Sequence, residues 1–143
     1  MSRESTIDQL NSFLRGEISA VETYRQAMEK VKDVRAVTTL EECQTSHARR
    51  VANLREFITR LGGTPSTDSG AWGSFAKLVE GGAAALGDQA AIAALEEGED
   101  HGLRDYRDEL EDLDAEARRL VEQQLLPEQE RTHGALSTLK KAI

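Results

Sequence analysis

The sequence predicts an all-α protein, a single four-helix bundle with a long helical crossover between its second and third helices. Three observations predict it. Apolar residues recur at spacings of three and four in four separate segments, as on amphipathic helices. Runs of β-branched residues are scarce and only two prolines interrupt 143 residues. A Gly-, Pro- and Ser-rich break at 62–70 divides the helical segments two and two. A chain of this length builds one good hydrophobic core and not two, so residues 1–143 are read as one domain.

Helix 1 is predicted to start near Ser5 or Thr6 and run to about Val34. Its stripe is Ile7, Leu10, Leu14, Glu17, Val21, Tyr24, Met28 and Val31. Helix 2 is predicted from about Arg35 to Leu61, where Gly62-Gly63, with Pro65 beyond, forms a stop. Its stripe is Leu40, Gln44, His47, Val51, Leu54, Ile58 and Leu61, so two polar residues lie on the face meant for the core. A short connection makes helices 1 and 2 antiparallel neighbours.

Residues 62–87 are too long for a tight turn. A loop over 64–70, a short helix over Ala71–Glu80 carrying Trp72, Phe75 and Val79, and one more turn over Ala83–Gly87 form the expected crossover. It returns the chain to the other end of the bundle, making helices 2 and 3 parallel. Helix 3 is predicted from Asp88, read as an N-cap, to Leu113, and Asp114 caps helix 4. Helix 4 carries Leu120, Leu125, Leu126, His133, Leu136, Leu139 and Ile143. Its period is less clean, and Pro127 is placed to kink it or to shift its phase. On an ideal wheel His133 falls within the apolar arc and Glu130 at its margin.

Composition narrows the function. The net charge of −8 leaves no basic stripe to meet phosphates, so a nucleic-acid partner is not expected. No apolar run approaches the roughly 20 residues of a membrane span, and no apolar secretion signal follows Met1. The single Cys43 cannot form an internal disulfide and reads as a small buried apolar group. The expected location is cytoplasmic. Trp72 and Phe75 on one short amphipathic helix suggest a homodimer.

The polar residues inside the stripes carry the chemistry. Gly16-Glu17 with Tyr24 is echoed by Gly98-Glu99 with Tyr106, a Tyr seven residues after each Glu. An ionised carboxylate in a low-dielectric core costs several kcal/mol unless a charge or metal compensates it. Helix by helix the candidates are Glu17, Gln44 with His47, Glu99, and Glu130 with His133. Tyr24 and Tyr106 are placed to hydrogen-bond the carboxylates, although as bundle core they need no function. His101, two residues from Glu99, points elsewhere.

This layout resembles the ferritin-like superfamily, over roughly Ser5 to Ile143. Gly16-Glu17-Ile18-Ser19-Ala20-Val21-Glu22-Thr23-Tyr24 is similar to the first helix of rubrerythrins. Leu61-Gly62-Gly63-Thr64-Pro65 and Ser69-Gly70-Ala71-Trp72-Gly73 resemble a group of bacterial four-helix-bundle proteins of uncharacterised activity within it. The resemblance implies one or two iron or manganese ions, with Glu17 and Glu99 as terminal ligands, His47 and His133 one per metal, and Glu130 bridging. Gln44 stands where the superfamily has a second bridging glutamate, and a neutral amide neither bridges two cations well nor offsets their charge. No Cys pairs supply a rubredoxin-like electron-transfer domain, and no fifth helix of cage-forming ferritins is expected.

The implied activity is that of a peroxidase or oxidase in stress defence. The alternative is a metal-free structural or interaction bundle, in which Glu17, Gln44, His47, Glu99 and His133 satisfy one another in a buried hydrogen-bonded network.

Overall fold

Ser2 opens the first helix. Its side chain accepts from the Ser5 N–H at 3.0 Å and its own N–H donates to Ser5 Oγ at 3.1 Å, a reciprocal capping box. The computed structural model describes residues 2–70 and 87–143. Helix α1 (Arg3–Lys30) therefore begins two residues before the expected Ser5 and stops short of the expected Val34. Val31, in extended conformation, ends it, and Asp33 caps α2 (Val34–Arg60), accepting from the N–H groups of Arg35 and Ala36.

At the far end of α2 the expected glycine stop is a Schellman turn. Gly62 has φ +85° and donates to Thr59, while Gly63 donates to Ile58. Gly63 must also be small, because a Cβ there would lie 2.7 Å from Ile7 Cγ2 of α1. The loop then runs back along α1, held by hydrogen bonds from Asn11 to the Thr64 carbonyl, from Arg15 to Ser66 Oγ, and from the Ser66 N–H to Asn11 Oδ1. The short helix expected over Ala71–Glu80 and the homodimer contact built on Trp72 and Phe75 lie outside the described residues.

Helix α3 (Asp88–Asp108) starts beside the α1–α2 turn. The Asp88 carboxylate accepts from the N–H groups of Lys32 and Asp33 at 2.9 and 2.8 Å. Asp88 thus ties two turns together, and Gly87 is the N-cap in its stead. The other end of α3 lies by the start of α1, where Thr6 donates to the Asp112 carbonyl and accepts from the Asp114 N–H. Helices α2 and α3 are therefore parallel, as expected. Helix α3 ends five residues before the expected Leu113, because Asp108, Glu109, Glu111 and Asp112 set negative charge against the negative end of the helix dipole.

Asp114 caps the last helical run, accepting from Ala117 at 2.8 Å. The run is α4 (Ala115–Leu120), a π-helical turn (Val121–Leu125) and α5 (Leu126–Ala142) in line. The Leu126 N–H reaches back five residues to the Val121 carbonyl. Pro127 is the cause the sequence offers. It has no N–H to give Gln123, and its ring would crowd that carbonyl in an ordinary helix, whereas a wider turn accommodates it.

Helix α1 packs chiefly on α2, and α3 on α5. All described elements are helices, and among the described residues none is long and apolar enough to cross a membrane. The core is in two parts. One apolar cluster gathers Ala27, Leu40, Ile92, Leu95 and Leu136, and the other Leu14, Leu54, Phe57, Leu113 and Leu125. A layer of buried polar side chains lies between them.

Candidate functional site

The polar layer follows from helical spacing. Glu17 sits between Leu14 and Ile18 on α1, His47 and Arg50 one turn apart on α2, and Glu99 between Leu95 and Leu103 on α3. None can turn to solvent without pulling its apolar neighbours out of the core. Glu17 is 4% exposed, His47 1%, Arg50 2% and Glu99 0%.

His47 bridges the two carboxylates. Its Nδ1 lies 2.5 Å from Glu17 Oε1 and its Nε2 2.6 Å from Glu99 Oε2. Both carboxylates accept, so both ring nitrogens donate and the ring is an imidazolium. Tyr106 donates to Glu17 Oε2 and Tyr24 to Glu99 Oε2, each at 2.5 Å. Glu99 Oε1 accepts from Thr132 at 2.6 Å and from the Gln129 amide at 2.9 Å. Arg50 closes the network, donating to Glu17 Oε2 at 3.3 Å, to Ser46 and Thr132 at 3.1 Å each, and to Gln129 Oε1. Two carboxylates thus face one imidazolium and one guanidinium, and every carboxylate oxygen is occupied.

The electrostatics agree with that balance. Burial alone would raise the Glu17 pKa, but Arg50 and then His47 hold it below the usual carboxylate value. Burial raises Glu99 likewise, but His47, Arg50 and Thr132 together outweigh it, so Glu99 is lowered. Burial and Arg50 lower His47, while Glu99 and Glu17 together raise it further, so its pKa stands above the ordinary value. Burial and the adjacent glutamates push the Tyr24 and Tyr106 hydroxyls well up. Burial, then Glu99, carries the Cys43 thiol up to about 12, so Cys43 is an unreactive thiol in an apolar cluster.

Of the six residues singled out from the sequence, the structure brings Glu17, His47 and Glu99 together. Gln44 is half-buried beside them and donates to the Val21 carbonyl at 3.1 Å. Glu130 is exposed, 3.3 Å from Arg107, and His133 lies near the surface, 3.3 Å from Asp100. Helix 4 is therefore one residue out of the expected phase. Ala117, Val121, Leu125 and Gln129 are buried at successive intervals of four across the π turn, followed by Thr132, Leu136 and Leu139. Gln129 and Thr132 thereby occupy the inward positions expected of Glu130 and His133.

Arg50, Gln129, Thr132 and Ser46 are the members that sequence reasoning missed. A signal for Arg50 existed, since it follows His47 by three residues and so shares its face. Gly102 provides the room for Gln129, because a Cβ there would stand 2.8 Å from its amide nitrogen. Gln129 uses that approach to donate to the Glu99 carbonyl at 2.8 Å. Tyr24 and Tyr106 make the carboxylate hydrogen bonds anticipated for them, and His101 faces Asp105 on the surface of α3.

A search of the curated proteins and a search of the solved structures each found no match. Over residues 5–112 the chain matches the family described as a domain of unknown function (DUF2383), and it belongs to that family.

Proposed function

We propose that the protein has a ferritin-like fold and serves as a metal-independent structural or interaction bundle, with its buried carboxylates neutralised by its own cations. The observation that carries this reading is Arg50, a permanent cation that is 2% exposed and bonded to Glu17, Gln129, Ser46 and Thr132. Two divalent ions need several carboxylates to offset four positive charges. The cluster offers two, already balanced by Arg50 and His47, while the helix 4 positions that face it hold the neutral Gln129 and Thr132. A metal ion would have to enter beside a guanidinium that repels it and take His47 from both of its partners. The donor set does not fit a di-metal centre.

The protonation of His47 tests this directly. In ¹⁵N NMR of the imidazole at neutral pH, two protonated ring nitrogens are the expected result. A ring with one bare nitrogen, which takes up iron or manganese on titration, would overturn it.

A second reading keeps the metal. Glu17, His47 and Glu99 come from three helices and meet within hydrogen-bonding distance, and both glutamates are held ionised. On this reading Glu17, Glu99 and one ring nitrogen of His47 would hold a single iron or manganese ion in place of one of the two His47 protons, and the ion would supply peroxidase or oxidase chemistry. Gln44, Glu130 and His133 are recruited only if α2 and α5 rotate.

A further inference from the structure

A groove of about 450 Å³ runs along the outside of the bundle between α2 and the π turn. We propose that it binds a small phosphate monoester. Three guanidiniums line it; Arg50 is already paired with Glu17, which leaves Arg49 and Arg131 against the single carboxylate of Glu128, in a chain whose net charge is −8. Glu128 is already engaged, by Arg131 at 2.7 Å and by Ser46 at 3.0 Å. Arg49 is exposed and has no ion-pair partner among the described residues.

The second observation lies on the floor. Arg50 is almost wholly buried, and its Nε–H has no acceptor among the described residues. A buried donor without an acceptor is costly and uncommon in folded proteins, and this one lies just beneath the groove that Arg50 helps to line.

The π turn shapes the rest. It places Gln123 and Gln124 in the lining together with Asn53 of α2, so three side-chain amides are available there. The exposed ring of Pro127 adds an apolar surface suited to the organic part of an ester. The volume falls within the range of small-molecule sites and is far more than inorganic phosphate fills. A phosphate monoester brings up to two negative charges and three acceptor oxygens, which suits several guanidinium forks better than a single carboxylate does. The inference uses the outer side of Arg50 and does not depend on whether the buried cluster takes a metal.

Isothermal titration calorimetry at fixed ionic strength, with phenyl phosphate, inorganic phosphate and benzoate as probes, tests it. Phenyl phosphate is expected to bind saturably at one site, more tightly than the other two. Arg49→Gln and Arg131→Gln change exposed side chains and leave the fold intact. Each should weaken binding about tenfold, while Arg55→Gln, outside the groove, should not. Absence of saturable binding, benzoate binding as tightly as phenyl phosphate, or equal weakening by all three substitutions would each overturn the proposal.

Discussion

Replacing Arg50 with methionine is the most informative single change to the buried layer. Methionine keeps much of the aliphatic volume and deletes the charge. Ser46 retains Glu128 as a partner and Thr132 retains Glu99, so neither hydroxyl is orphaned. Gln129 Oε1 loses its donor, and Glu17 keeps only His47 and Tyr106. The cluster is left with two carboxylates and one cation, out of contact with water. Breaking a buried ion pair by removing one partner typically costs about 3–5 kcal/mol. That is a large part of the roughly 5–15 kcal/mol by which a domain is stable. Urea unfolding at neutral pH should therefore show a much lower midpoint at unchanged slope. Glu17→Gln in the same background restores the charge balance, so the double variant should recover part of the loss, with a coupling of about 2 kcal/mol. An Arg50→Met protein within about 0.5 kcal/mol of the parent would refute the claim that Arg50 neutralises the layer.

Other predictions follow from the same geometry. Glu17 and Glu99 have folded pKa values below the ordinary 4.5, so their contribution is whole above that pH and is lost as pH falls through the lowered values. His47 has a folded pKa above the ordinary 6.5, so its contribution is whole below that pH and is lost as pH rises through the raised value. Urea midpoints should thus peak between the two ordinary values, and His47→Gln should remove the fall on the alkaline side. Gly102→Ala should destabilise by about 1–3 kcal/mol despite the better helix former, because the new methyl meets the bonded Gln129 amide at 2.8 Å. Gly134→Ala, with nothing within 4 Å, should stabilise by up to about 1 kcal/mol in the same thermal melts. Gln44→Glu forfeits the hydrogen bond to the Val21 carbonyl, at a cost of about 1 kcal/mol. Thermal melts with ferrous or manganous ion should show no rescue of that variant, and a metal-dependent rise would favour the metal reading.

The four helical segments were legible because burial on one face leaves a period that survives almost any choice of side chain. Glu17, His47 and Glu99 were legible for the same reason, as polar groups standing where Leu10, Leu54 and Ile92 stand on their own stripes. Helix 4 was legible only in part: Leu136 and Leu139 are buried as read, but the π turn sets the phase just before them, where the period was least clean. Pro127 marked the place without giving the sense of the shift, so Glu130 and His133 were read inward in place of Gln129 and Thr132. Arg50 was passed over although its spacing of three from His47 places it on the buried face, one residue from the exposed Arg49. Where acidic residues occupy the middle of an apolar stripe, an arginine one turn from another buried polar residue is the partner to look for before a metal.

Metal uptake by the unmodified chain tests the central claim most directly. Protein purified without a histidine tag is loaded anaerobically with excess ferrous or manganous ion, freed of unbound metal, and analysed for metal per chain. A layer neutralised by Arg50 and protonated His47 predicts retention far below one ion per chain, unchanged by His47→Ala. Retention of one or two ions per chain, abolished by His47→Ala, would contradict it.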